Sequence, residues 1–151
     1  MQGNLANSYR NLGRCDEALR VRQEVYSGRL KLNGEEHGMT ILAANNYAVS
    51  LNGLQRFKEA KSLLRKTMPV ARRSLGEGHI TTLRMRFNYA KALYLVAGAT
   101  LDDFREAVTT LEDAERTTRR VFGGAHPLTT AMEDNLRQAR AFLRARETQP
   151  S

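Results

Sequence analysis

The residues most able to do chemistry are three histidines, each set among glycines or acids. His79 lies in LGEGHITT (75–82), two residues after Glu77, and the same grouping surrounds His37 in NGEEHGMT (33–40) and His126 in FGGAHPLT (122–129). A glycine-rich loop can cradle phosphate, and a histidine beside a carboxylate can move protons. Spacing argues against both. His37 and His79 are 42 residues apart and His126 follows 47 further on, as do Gly34, Gly76 and Gly123, and Thr40, Thr82 and Thr129. Three residues sharing one repeat phase sit in three different linkers and cannot converge on one zinc, and none has a Cys or second His beside it. These stretches therefore read as punctuation: a glycine closing one helix, and a histidine next to the N-cap of the following one, where Pro127 suits the first helical position.

The repeat organises the chain. Sliding residues 4–45 onto 46–87 gives 11 identities, where average composition gives roughly two or three. They include Asn4/Asn46, Ala6/Ala48, Arg14/Arg56, Glu17/Glu59 and Ala18/Ala60. In the third copy Phe57–Ala60 reappears as Phe104–Ala107, and the additional residues of that copy fall between Val96 and Phe104, in its internal turn. Each unit reads as two helices. The second helices place Phe57, Ala60, Leu63, Leu64 and Met68, and then Phe104, Ala107, Val108, Leu111 and Ala114, at steps of three and four; Ala18, Val21 and Val25 are the weaker first set. First helices carry Leu5, Tyr9 and Leu12; Tyr47, Leu51 and Leu54; Tyr89, Leu93 and Val96. Pro69 predicts a kink or an end near Thr67–Met68. Cys15, at the phase of Phe57 and Phe104, reads as a core filler. A helix pair cannot bury its own stripe, but stacked pairs bury a continuous core.

Composition narrows the class. The chain of 151 residues holds one domain with a real core, at 41% hydrophobic residues. It has no apolar run long enough to span a bilayer, no signal-peptide pattern and a single cysteine, so a cytoplasmic protein away from membranes is expected. The net charge is +8, and residues 55–91, with ten bases against Glu59 and Glu77, carry an excess of that size. An acidic partner is implied. No phosphate loop, metal-ligand spacing or nucleophile–base pair stands out, so neither a cofactor nor catalysis is expected.

Stacked helix pairs with small residues at Ala6/Ala48/Ala90 and Ala18/Ala60/Ala107 resemble the tetratricopeptide repeat. The 42-residue period, the NLA/NYA opening, the F-[KR]-E-A start of second helices and the LG-x-x-H linker are similar to the kinesin light chain variety. The resemblance implies an all-α fold, a right-handed α-solenoid of antiparallel helix pairs with about seven helices. It covers residues 1–146 as one domain: repeats at about 3–37, 38–79 and 80–126, a capping helix at 127–146, and a disordered tail at 147–151. It also implies a concave groove lined by first helices in which a partner's peptide lies.

Carried over by position, the groove set is Asn4, Asn46, Asn88 and Asn135, all at one phase, with Asn7, Asn45 and Asn52, then Arg84, Lys91 and Tyr94, and Gln138 on the cap. Asparagine is a mediocre helix former, so its recurrence needs a reason. Its amide can pair with an extended peptide backbone, or it can bond between neighbouring repeats and fix their stacking. Arg84 and Lys91 can hold acidic side chains. The expected function is a non-catalytic scaffold that binds a peptide segment, acidic in character. Nucleic-acid binding through residues 55–91 is the alternative, and self-association through the uncapped N-terminal end is a further expectation.

Overall fold

A computed structural model describes residues 2–149, with the side chains of residues 13–149. Among these the chain forms six helices: α1 (Gln2–Asn33), α2 (Gly38–Gly53), α3 (Phe57–Ser74), α4 (Ile80–Leu95), α5 (Leu101–Phe122) and α6 (Pro127–Glu147). Each packs on its successor, and α2 also meets α4, and α4 meets α6. The even-numbered helices thus make one layer, and the C-terminal half of α1 with α3 and α5 makes the other.

The repeated linkers place the helices by a common chemistry. Gly34, Gly76 and Gly123 sit at φ 83°, 100° and 91°, the left-handed region that only glycine enters cheaply. Three residues on, each histidine is itself the N-cap, a step closer to the helix than the sequence suggests. His37, His79 and His126 hold extended backbone, and each Nδ1 accepts the amide N–H of Met39, Thr81 or Leu128 at 3.1 Å. One orphan donor of each helix start is thereby satisfied. The following threonines are buried, and their hydroxyls donate back to carbonyls of the preceding helix or its cap: Thr40 to Arg29, Thr82 to Ala71, Thr129 to Gly123.

Between these linkers the core runs through the stack. Ala48, Ala60, Ala90 and Ala107 have no exposed surface, which lets helix backbones approach closely around Leu64, Leu93 and Leu111. α4 lies at the centre. From Thr81 to Tyr94 every residue but Arg84 and Lys91 is buried, because α2 and α6 flank it and α3 and α5 lie behind.

Four expectations are corrected. The first repeat was expected to form two helices, but α1 is continuous from Gln2 to Asn33. In the second repeat the turn between the two helices is held by Gln55 at φ 62° and by Phe57 packing against Leu51 and Ala60. In the first repeat the anchoring aromatic is replaced by Cys15, which is exposed rather than a core filler. Without a buried anchor, continuing the helix keeps every backbone bond made. Pro69 does not end α3, which runs on to Ser74, because Met68, Val70 and Ala71 are buried on the core side and hold both halves. The additional residues of the third repeat do not all form a turn: Leu101–Asp103 are helical, started by a capping box in which Thr100 and Asp103 exchange side chain-to-backbone hydrogen bonds of 3.1 and 2.9 Å.

Candidate functional site

On the open side of the even-numbered layer lies a cavity of ≈ 350 Å³. It is lined by Asn45, Asn46 and Val49 of α2, Arg84, Phe87 and Asn88 of α4, and Leu128 and Ala131 of α6. Four residues of the sequence-derived set meet here: Asn45, Asn46, Arg84 and Asn88. Arg84 and Lys91 are seven residues apart, two turns of one helix, so both emerge on the single face that α4 leaves open. The Lys91 ammonium lies 4.9 Å from the centroid of the Phe87 ring, a cation–π geometry. Burial pushes its pKa below the usual lysine range, and no carboxylate lies within ion-pairing distance among the described residues.

The asparagines divide. Asn88 is buried; its amide donates to Asn45 Oδ1 at 3.0 Å, and its carbonyl accepts from Asn52 Nδ2 at 3.0 Å. These bonds join α2 to α4, the stacking use of the residue. Asn135 accepts from the Tyr94 hydroxyl and donates to the Ala131 carbonyl at 2.9 Å, and Tyr94 also reaches Gln138 Oε1 at 3.2 Å. That group joins α4 to α6. Asn46 alone among the described members of its phase is exposed; its backbone carbonyl accepts from Arg22, which also donates to the Ser50 hydroxyl at 2.8 Å. Asn4 and Asn7 lie outside the residues whose side chains are described.

Sequence reasoning missed the apolar half of the cavity: Val49, Phe87, Leu128 and Ala131. A signal existed for Val49, an apolar residue one turn beyond Asn46 on the same helix. Phe87 was masked by the asparagine pattern beside it.

The basic middle of the chain is substantially paired. Arg56 meets Glu59 at 2.8 Å, Arg65 meets Glu106 at 3.7 Å and Tyr89 at 3.0 Å, Arg72 meets Glu77 at 3.4 Å, and Arg73 meets Glu36 at 3.9 Å. Arg86 is buried against Glu77 at 3.7 Å, and desolvation lowers its pKa. The three histidines spend Nδ1 on helix caps, and no group of His, Cys, Asp and Glu among the described residues could hold a metal.

Paired helices stacked in two layers, with an open groove along one layer, define a repeat scaffold for protein–protein interaction. The family is shown by sequence. The tetratricopeptide repeat profile matches residues 1–38 and 40–81, more than half of the chain, which therefore belongs to the tetratricopeptide repeat family. No curated protein matches. A solved structure of a proposed kinesin light chain from Podosopora anserina, with nearly identical TPR-like repeats, superposes with a TM-score of 0.77 at 21% identity. The match covers 96% of this chain, which spans 66% of that one, and it shows a shared fold. No described helix is long and apolar enough to cross a membrane.

Proposed function

We propose that the protein is a non-catalytic scaffold that holds an acidic peptide segment of a partner protein in the groove across α2, α4 and α6. The observation that carries this reading is Lys91: a desolvated ammonium on the open face of α4, with an aromatic ring under it and no carboxylate beside it. A half-buried charge without a partner is partly desolvated, and an incoming carboxylate recovers part of that cost. Arg84, two turns away, supplies a second anchor, and the planar guanidinium suits bidentate contact. Between them Phe87, Val49, Leu128 and Ala131 offer an apolar seat for one side chain of the peptide, aromatic or aliphatic. Asn46 and Asn45 lie where a peptide backbone would pass. Asn52, Asn88, Tyr94, Asn135 and Gln138 support the groove by fixing how its helices stack. The exposed, unpaired Cys15 suits a reducing compartment, here taken as the cytoplasm.

Pairing of the arginines on α3 with carboxylates, and burial of Arg86, favour this reading over a nucleic-acid surface, which needs a continuous basic face with stacking aromatics. The test is fluorescence anisotropy of an acidic peptide library against the wild type, Arg84→Ala and Lys91→Ala. Each substitution is expected to weaken the selected peptide about tenfold, close to 1.4 kcal/mol, with affinity falling as salt rises. Unchanged affinity in the double variant, or preference for single-stranded nucleic acid over every peptide, would overturn the assignment.

A further inference from the structure

The open face of α4 continues beyond Lys91 to Leu95. Leu95 is 36% exposed, although Leu93 and Tyr94 just before it are buried. It borders a cavity of ≈ 620 Å³, with Val96 and Ala97 on the same side and Arg56, Phe57 and Lys58 on the other. That volume falls within the range of about 300–1,000 Å³ typical of ligand sites. The two turns that bound it differ in length. Residues 54–56 alone join α2 to α3, whereas residues 96–100 join α4 to α5, so the additional residues of the third repeat help build one wall. This longer connection is fixed: Ala99 is buried, its amide N–H donates to the Val96 carbonyl at 3.2 Å, and Gly98 takes φ 82°. The wall is therefore in place before a ligand arrives, which spares the cost of ordering it. At the rim Arg56 is held by Glu59 at 2.8 Å, while Lys58 makes no ion pair among the described residues.

Phe87, Lys91 and Leu95 follow one another at four-residue steps along α4. Each step advances about 6 Å along the axis and turns about 40°. The row therefore crosses the groove obliquely. It runs from Phe87, which packs with Leu128 and Ala131 of α6, to Leu95, which shares its cavity with the α2–α3 turn. An extended chain repeats its side-chain direction every two residues, at about 6.6–6.8 Å. The two spacings match, so alternate side chains of one extended peptide can meet the three positions in turn. We propose that the peptide held in the groove carries an acidic residue with one apolar residue two places before it and another two places after it. The acid pairs with Lys91. One apolar side chain takes the seat beside Phe87, and the other enters the cavity between Leu95 and Phe57. The pattern is the same in either chain direction, so it holds whichever way the peptide runs. Lys91 is the shared contact, and the motif therefore rests on the groove taking an acidic peptide at all.

The test is fluorescence anisotropy with three labelled peptides in a glycine–serine background. The first has phenylalanine, glutamate and phenylalanine at alternate positions. The second replaces one phenylalanine with serine, and the third has one more residue on each side of the glutamate. The first should bind the wild type about tenfold more tightly than either of the others. Leu95→Ser removes an apolar wall and Ala97→Trp fills the cavity, and in both variants the first and second peptides should bind alike. Both positions are exposed, so the helical circular dichroism should not change. Equal binding of the three peptides to the wild type overturns the motif, and so does a tenfold preference that survives in both variants. In either case the acidic groove still stands if Lys91→Ala weakens all three peptides. Affinities that ignore Lys91→Ala would remove the groove assignment and the motif with it.

Discussion

Tyr94 joins burial to polarity on the surface between α4 and α6. Its ring is 2% exposed, and its hydroxyl bonds Asn135 and Gln138. Desolvation raises its pKa to about 12. The sign follows from proton binding. Below the ordinary value near 10 the phenol is neutral folded and unfolded, and its contribution is fully present. Between about 10 and 12 the unfolded chain ionises while the folded one holds its proton, so stability falls as pH rises. Tyr94→Phe should flatten that decline, removing up to about 2–3 kcal/mol of pH dependence; at neutral pH it should cost about 1 kcal/mol through the lost hydroxyl bonds. Urea melts of both proteins at pH 8 and pH 11 measure each part. The histidines give a second prediction. His79→Ala removes the acceptor for the Thr81 amide and should cost about 1 kcal/mol in the same melts, while His79→Asn, an equally good cap, should restore most of it. At this scale the sequence shows phase more clearly than role. Alignment of His37, His79 and His126 excluded a shared site, but whether each caps a helix depends on backbone geometry. The asparagines show the same limit: Asn46 and Asn88 share a phase, yet one is exposed and the other buried, because only α4 has helices on both sides.

Elements were legible where a repeat supplied its own control. The five helices from α2 to α6 follow from the ruler of Gly, His and Thr, and from stripes such as Phe57–Met68. α1 departs because a turn needs an anchor as well as a permissive residue. Gly13 permits what Gln55 does at φ 62°, but Cys15 cannot bury what Phe57 buries. The additional residues of the third repeat depart for the opposite reason. Thr100 and Asp103 are good capping residues in the right spacing, so they begin α5 three residues before the repeat demands it. The helical start at Leu101 therefore depends on that box. Thr100→Ala should lower the urea midpoint by the equivalent of about 1 kcal/mol, and Asp103→Ala should produce a similar loss. The double variant should lose less than the sum, since the two side chains serve the same turn. Additive losses would mean the box is not the unit that starts the helix.

At the level of the whole molecule, the repeat fixes the order of stacking, and the order fixes which helix is central. In a linear array each element touches only its neighbours, so stability is distributed by position. α4 alone meets helices on every side but one, and its buried run from Thr81 to Tyr94 includes Leu83, Met85, Ala90 and Leu93 at zero exposure. Arg137 and Arg140 of α6 point outward, and among the described residues α1 meets only α2. Native-state hydrogen exchange should therefore find the slowest amides in α4, with those of α6 beyond Arg140 opening at lower free energy. Ala90→Leu, which overfills the point where helix backbones approach, should cost about 1–3 kcal/mol. It should accelerate exchange in α2, α3, α5 and α6 together, because each of them packs on α4. Arg137→Ala, on the outer face of α6, should leave α2 and α3 unchanged. If the groove binds as proposed, peptide should slow exchange along α4 and its two flanking helices at once, since the face carrying Arg84 and Lys91 belongs to the element on which the others stack. Protection confined to α2 or α6 would mean that the peptide takes hold at an edge of the array and that Lys91 is not its anchor.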